Sequence, residues 1–197
     1  MKITLQLVLV VVVASLTIMI SSCKSSHEYN VQIASLDSVK NSTNDLMLRC
    51  NQALLDWGSQ NPDSMLLNIR FIQDHFKGVM KTGDAMMVAS YSNAAQDMLQ
   101  VKIDLEDVVR QLSTFHNEIS ALQKALREQA THDKNGNEIN ENYVQEVLKK
   151  ENENLKRFDT RLNELSLLLN HASEIATNSR TQVNHIADSL NNTINKN

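Results

Sequence analysis

Residues 115–155 read FHNEISALQKALREQATHDKNGNEINENYVQEVLKKENENL, and the pattern on either side of the centre of this stretch decides the fold. Leftward from Asn135, apolar residues stand at Leu126, Leu122, Ile119 and Phe115. Rightward, Val144, Leu148 and Leu155 occupy the mirror positions of Leu126, Leu122 and Phe115, while Glu151 mirrors Ile119. Steps of three and four are the heptad repeat of supercoiled helices, which no strand produces. The mirror point falls on Asn135-Gly136, a pair of turn residues, and Gly136 can take the left-handed backbone that ends a helix. The spacing predicts two antiparallel helices joined there, since a shift of one heptad would centre the bend inside a helix.

Outward, the repeat persists. Upstream, the seam reads Met87, Tyr91, Ala94, Met98, Val101, Leu105, Val108 and Leu112. Downstream it reads Phe158, Leu162, Leu165, Leu169, Ala172, Ala176, Ser179, Val183, Ile186 and Leu190. Residues 84–195 are therefore expected to form one antiparallel coiled-coil hairpin, roughly 65–80 Å long at 1.5 Å rise per residue.

Two shorter helices are expected in residues 29–83. Leu36, Val39, Leu46, Cys50, Ala53 and Trp57 share one face of the first, ending at Gly58. Asn61 is a cap candidate for the second, with Pro62 at the first helical position and Asp63 near the positive end of the helix dipole. Its stripe is Met65, Ile69, Ile72, Phe76 and Val79, stopped by Lys81-Thr82-Gly83, with Asp84 as cap of the next helix. The hairpin seam carries small residues at Ala94, Ala172, Ala176 and Ser179, leaving room for other helices, and Val88, Ala95, Leu168 and Ile175 widen the stripe there. These features predict an all-α, elongated helical bundle: a four-helix base from which a two-helix stalk extends, its tip pointing away from the start of the chain. Four Gly and one Pro among 197 residues agree with long helices and short connections.

A net charge of −4, interspersed along the chain, gives no basic stripe of the kind nucleic acid requires, so no nucleic-acid partner is expected. Residues 1–22 carry one early positive charge, Lys2, and then an apolar run from Leu5 to Ile20, the layout of a secretory signal peptide. The run ends Ile20-Ser21-Ser22-Cys23, which resembles the lipobox of bacterial lipoproteins. That resemblance implies cleavage before Cys23, a covalent lipid on Cys23 and a lipidated tether over residues 23–28. Loss of Lys2 leaves 18 basic against 23 acidic residues, a mature charge of −5. With Cys23 acylated, Cys50 has no disulfide partner, and its place on an apolar face makes it a buried, inert thiol.

Among Bacteroidota lipoproteins, an acidic cluster after the cysteine resembles a surface-export signal. Here only Glu28 is present, and the residue after Cys23 is Lys24 rather than the Asp that resembles an inner-membrane retention signal. The resemblance implies an outer-membrane lipoprotein facing the periplasm. The lipobox, chain length and long helices together resemble the small TssQ-type lipoprotein subunit of the Bacteroidota type VI secretion membrane complex. Asp37-Ser38-Val39, Asp63-Ser64-Met65 and Asp188-Ser189-Leu190 are similar to that phylum's O-glycosylation motif, a pattern that any amphipathic helix also produces.

No catalytic, cofactor or metal site is read from the sequence. Asp133-Lys134-Asn135-Gly136-Asn137-Glu138 opens like a calcium loop, but the glycine comes early and the twelfth position is Val144 where a bidentate Glu is needed. No His pair stands four apart, and the methionines at helical spacing read as core. The residues expected to meet a partner are Val109 and Val147, which extend the seam outward, and Glu151, a charge at a core position suited to setting register. The expected role is a structural or docking subunit of a cell-envelope assembly, held to the membrane by its lipid and to protein partners or its own copies along the stalk. The alternatives are a binding module for an apolar ligand or a toxin, and a stalk-like adhesin.

Overall fold

The computed structural model describes residues 29–195; the expected signal peptide, Cys23 and the tether 23–28 lie outside the described residues. The described chain is an all-α helical bundle of four helices, α1 (Asn30–Gln60), α2 (Pro62–His75), α3 (Thr82–Arg127) and α4 (Glu141–Ile194). None of them is long and apolar enough to cross a membrane. Two compact units divide it: residues up to Asn44 with Thr114–Lys156, and Asp45–Ser113 with the residues from Arg157 onward.

In the first unit, α3 and α4 pack as the mirrored heptads require. Phe115, Ile119, Leu122, Leu126, Val144 and Leu148 form a buried cluster, and Ile139 plugs it from the loop. Leu36 and Val39 of α1 belong to the same cluster, with Tyr29 and Ile33 packed against it. The expected two-helix stalk is thus a three-helix one here, and α1 begins beside the hairpin loop rather than at the opposite end. The physical reason lies in Thr43. In α1 the buried positions are Leu36, Val39, Thr43, Leu46, Cys50 and Ala53, an unbroken heptad seam. Thr43 fills the gap left by an apolar reading because its hydroxyl donates back to the Val39 carbonyl at 2.8 Å and needs no outside partner. Gln123 fixes the level at which α1 lies, donating to Asp37 at 2.5 Å and to the Ile33 carbonyl at 3.3 Å.

The loop is a small hairpin of its own. Backbone bonds join Ile139 to Thr131 and Asp133 to Asn137, and a bridge joins His132 to Glu138, all pairs symmetric about Asn135. Gly136 takes a φ of 84° in this reversal, but α3 is ended earlier, by Gln129 at a φ of 55°. The N–H of Ala130 reaches the Ala125 carbonyl and that of Gln129 the Leu126 carbonyl, which satisfies the last carbonyls of α3. Asn140 caps α4, its side chain accepting from the Tyr143 N–H at 3.0 Å.

In the second unit four helical segments take part, and α2 follows α1 along α4 so that three helices pack against each other. Arg49 meets Asp159 and Asn163, Gln60 accepts from Ser173, and Asn68 meets Asn184, a steady advance in one direction. The small seam residues Ala94, Ala172, Ala176 and Ser179 are buried, as is Ala95, whereas Leu168 is exposed and does not widen the stripe. Met87 is also exposed, so the seam of α3 begins at Tyr91.

Three local expectations are corrected. Asn61 adopts a left-handed φ of 52° and makes no capping bond; it is the hinge between α1 and α2. Helix α2 stops at His75, with Phe76 extended and Val79 99% exposed, because Gly78 gives the next turn poor helix propensity. Thr82, not Asp84, opens α3; Asp84 sits in its first turn and accepts from Gln182 at 2.8 Å.

The third-helix contact can be tested directly. Leu36→Ala should cost about 2–5 kcal/mol, and amide exchange within 115–126 and 144–148 should accelerate. Unchanged exchange there would restore the two-helix stalk.

Candidate functional site

The first unit holds a groove of about 390 Å³, between the end of α3, the loop and the start of α4. Ile119 and Leu122 contribute from α3, Val147 and Glu151 from α4, and Asp133 and Lys134 from the loop. No residue of α1 lines it, so it opens on a part of the hairpin that the third helix leaves free.

The loop wall is held by Asp133. Its carboxylate accepts from the Tyr143 hydroxyl at 2.5 Å, the Asn137 amide at 2.9 Å, and the backbone N–H groups of Asn135 and Asn137 at 2.8 Å each. These donors, Tyr143 foremost and Asn137 next, hold the Asp133 carboxyl well below the usual carboxylate range. Burial, and then the bond to Asp133, push the Tyr143 phenol above its ordinary value. Lys134 reaches Glu118 at 3.8 Å across the groove mouth.

On the α4 wall, Glu151 is only 7% exposed. Its carboxylate accepts from Asn154 at 2.7 Å and has no basic residue within ion-pair distance among the described residues. Neither carboxylate oxygen is sealed and unsatisfied, so the acidic group is presented at the groove it lines. Val147 beside it is half-buried against the core cluster and offers the apolar part of the same wall.

Of the residues expected to bind a partner, Val147 and Glu151 are therefore brought together. Val109 is half-buried and belongs to the other unit, so it is not part of this wall; a heptad reading ranks positions by face and not by which unit they join. Cys23 lies outside the described residues. Sequence reasoning missed the Asp133–Tyr143 bond, although Asp133 preceding Asn135 and Asn137 at alternate positions is the signal of a side chain that gathers backbone N–H groups.

Among the described residues no group of three His, Cys, Asp or Glu is placed to share a metal ion. Cys50 is fully buried, and that burial pushes its thiol up to about 11 against the opposing charge of Arg49. No protein-family model, characterised protein or solved structure matches the chain.

Two measurements probe these groups. Because the Asp133 carboxyl is lowered in the folded state, its bonds stabilise the fold above the ordinary carboxylate range, and that contribution fades as pH falls toward its lowered value. Tyr143→Phe should therefore melt lower than the wild type at pH 7, and the gap should narrow below about pH 4; a gap constant with pH would assign the loss to packing. Cys50, as a neutral thiol at pH 8, should resist iodoacetamide in the native protein and react promptly in urea. Prompt native labelling would show that it is accessible.

Proposed function

We propose that this protein is a lipid-anchored structural subunit of a cell-envelope assembly, docking a partner helix in the groove beside the hairpin loop. The observation that carries the reading is the α4 wall, where the Glu151 carboxylate, with no ion-pair partner among the described residues, stands in the groove next to the half-buried Val147. An amphipathic helix supplies an apolar stripe and a flanking charge in one element, which is what such a wall accepts. The anchor is the lipid on Cys23, at the periplasmic face of the outer membrane. On the features that resemble a TssQ-type lipoprotein, the type VI secretion membrane complex is the assembly to test first.

The full chain, extracted in mild detergent and sized with in-line mass measurement, should run as a stoichiometric complex with a membrane partner. Val147→Glu should run alone with unchanged helicity, and Cys23→Ser should leave the membrane fraction. A wild-type monomer carrying a lipid or capturing a toxin would replace this reading with a periplasmic binding module.

A further inference from the structure

The second unit contains a polar pocket of about 250 Å³ at the junction of α1 and α2, lined in part by Ser59, Asn61, Ser64, Tyr91, Arg180 and Asn184. Three features there point the same way. The N-terminus of α2 opens onto it: Asn61 makes no side-chain capping bond, Pro62 has no N–H, and the N–H groups of Asp63 and Ser64 have no intrahelical acceptor, while the Asp63 side chain is exposed and outside the lining. Arg180 forms no ion pair or hydrogen bond among the described residues, and the pocket lining holds no carboxylate to neutralise it. Tyr91 is 3% exposed, yet its hydroxyl has no partner among the described residues and is not one of the sealed, unsatisfied polar atoms, so its small exposure lies at the pocket it lines.

Tyr91 is the telling residue. It occupies a seam position where Phe would pack equally well, and its hydroxyl, without a protein partner among the described residues, is available at the pocket. A guanidinium, a phenol, a serine hydroxyl and helix-start N–H groups are all donors, and together with the positive end of a helix dipole they match a tetrahedral oxyanion. Arginine's planar fork suits two of its oxygens at once.

We propose that this pocket binds a phosphate group, held by Arg180 and Tyr91 at the start of α2. The site is separate from the groove of the first unit and does not depend on the docking reading. A free phosphate and the phosphate of a lipid headgroup present the same chemistry, and the test distinguishes them.

The test uses the full chain in a non-ionic detergent at constant ionic strength. Inorganic phosphate, followed by calorimetry and by thermal melting against chloride, should bind saturably and raise the melting temperature. Loss of a hydrogen bond to a charged group corresponds to a weakening of about tenfold or more; Arg180→Gln should show at least that, and Tyr91→Phe a smaller loss with packing intact. In a parallel arm, a short-chain phosphatidic acid competing at lower concentration than inorganic phosphate would assign the site to a headgroup, and the reverse order to the free ion. Equal melting in phosphate and chloride, or binding that neither substitution weakens, would overturn the proposal. Arg180→Lys, which keeps the charge but loses the fork, should recover only part of the affinity.

Discussion

Both units depend on a seam that two helices cannot close. In the second unit the seam of α3 and α4 includes Ala94, Ala172, Ala176 and Ser179 among larger residues, and where these stand the side chains are too small to fill the space between two helix axes. A third surface must enter, and α1 supplies it with Leu46, Cys50 and Ala53 before α2 takes over with Met65, Ile69 and Ile72. In the first unit the layers are larger, with Phe115, Ile119 and Leu122, but Leu36 and Val39 still cover them. Burial of each such side chain is worth about 1.5–3 kcal/mol, so the third helix is part of the core rather than a strap across it.

Polar contacts choose the level at which that helix lies, since a heptad seam alone permits slips of seven residues. Arg49 holds Asp159 at 2.6 Å and Asn163 at 2.8 Å, and Gln123, itself buried, holds Asp37. Arg127 adds a 3.6 Å contact to the same Asp37. Exposed ion pairs contribute little to stability. Their value here is specificity, because a slip would leave Gln123 buried with no acceptor.

What was legible in the sequence was whatever rests on apolar periodicity and on residues with one backbone habit. The hairpin seam from Tyr91 to Leu126, the centre of the loop at Asn135 and the start of α2 at Pro62 belong to that class. The path of α1 was not legible, because its seam passes through Thr43, a residue that counts as polar until its hydroxyl is seen to bond within its own helix. The end of α3 was hidden for a similar reason: Gln129 takes the left-handed conformation that a reader assigns to glycine. At the groove, the neighbouring positions of Val147 and Glu151 followed from their place on one helix face. Separating Val109 from them needed the tertiary division of the chain, which no heptad register contains.

Glu151 and Tyr91 pose the same physical question in two different units. Each sits at a seam position, and each is among the most buried residues of its helix. For the bundle alone, an apolar side chain of similar volume at either place would be neutral or stabilising, since no desolvation would then oppose packing. The polar atoms therefore add nothing to the internal packing. They also differ in sign: the carboxylate of Glu151 stands in a groove with an apolar wall and asks for a cation, whereas the phenol of Tyr91 stands with Arg180 in a pocket of donors and asks for an acceptor. Both groups stand at openings of their units, Glu151 at the groove beside the loop and Tyr91 at the pocket where α2 starts. The complements proposed for them follow from that difference, a basic side chain of a partner for the groove and an oxyanion for the pocket.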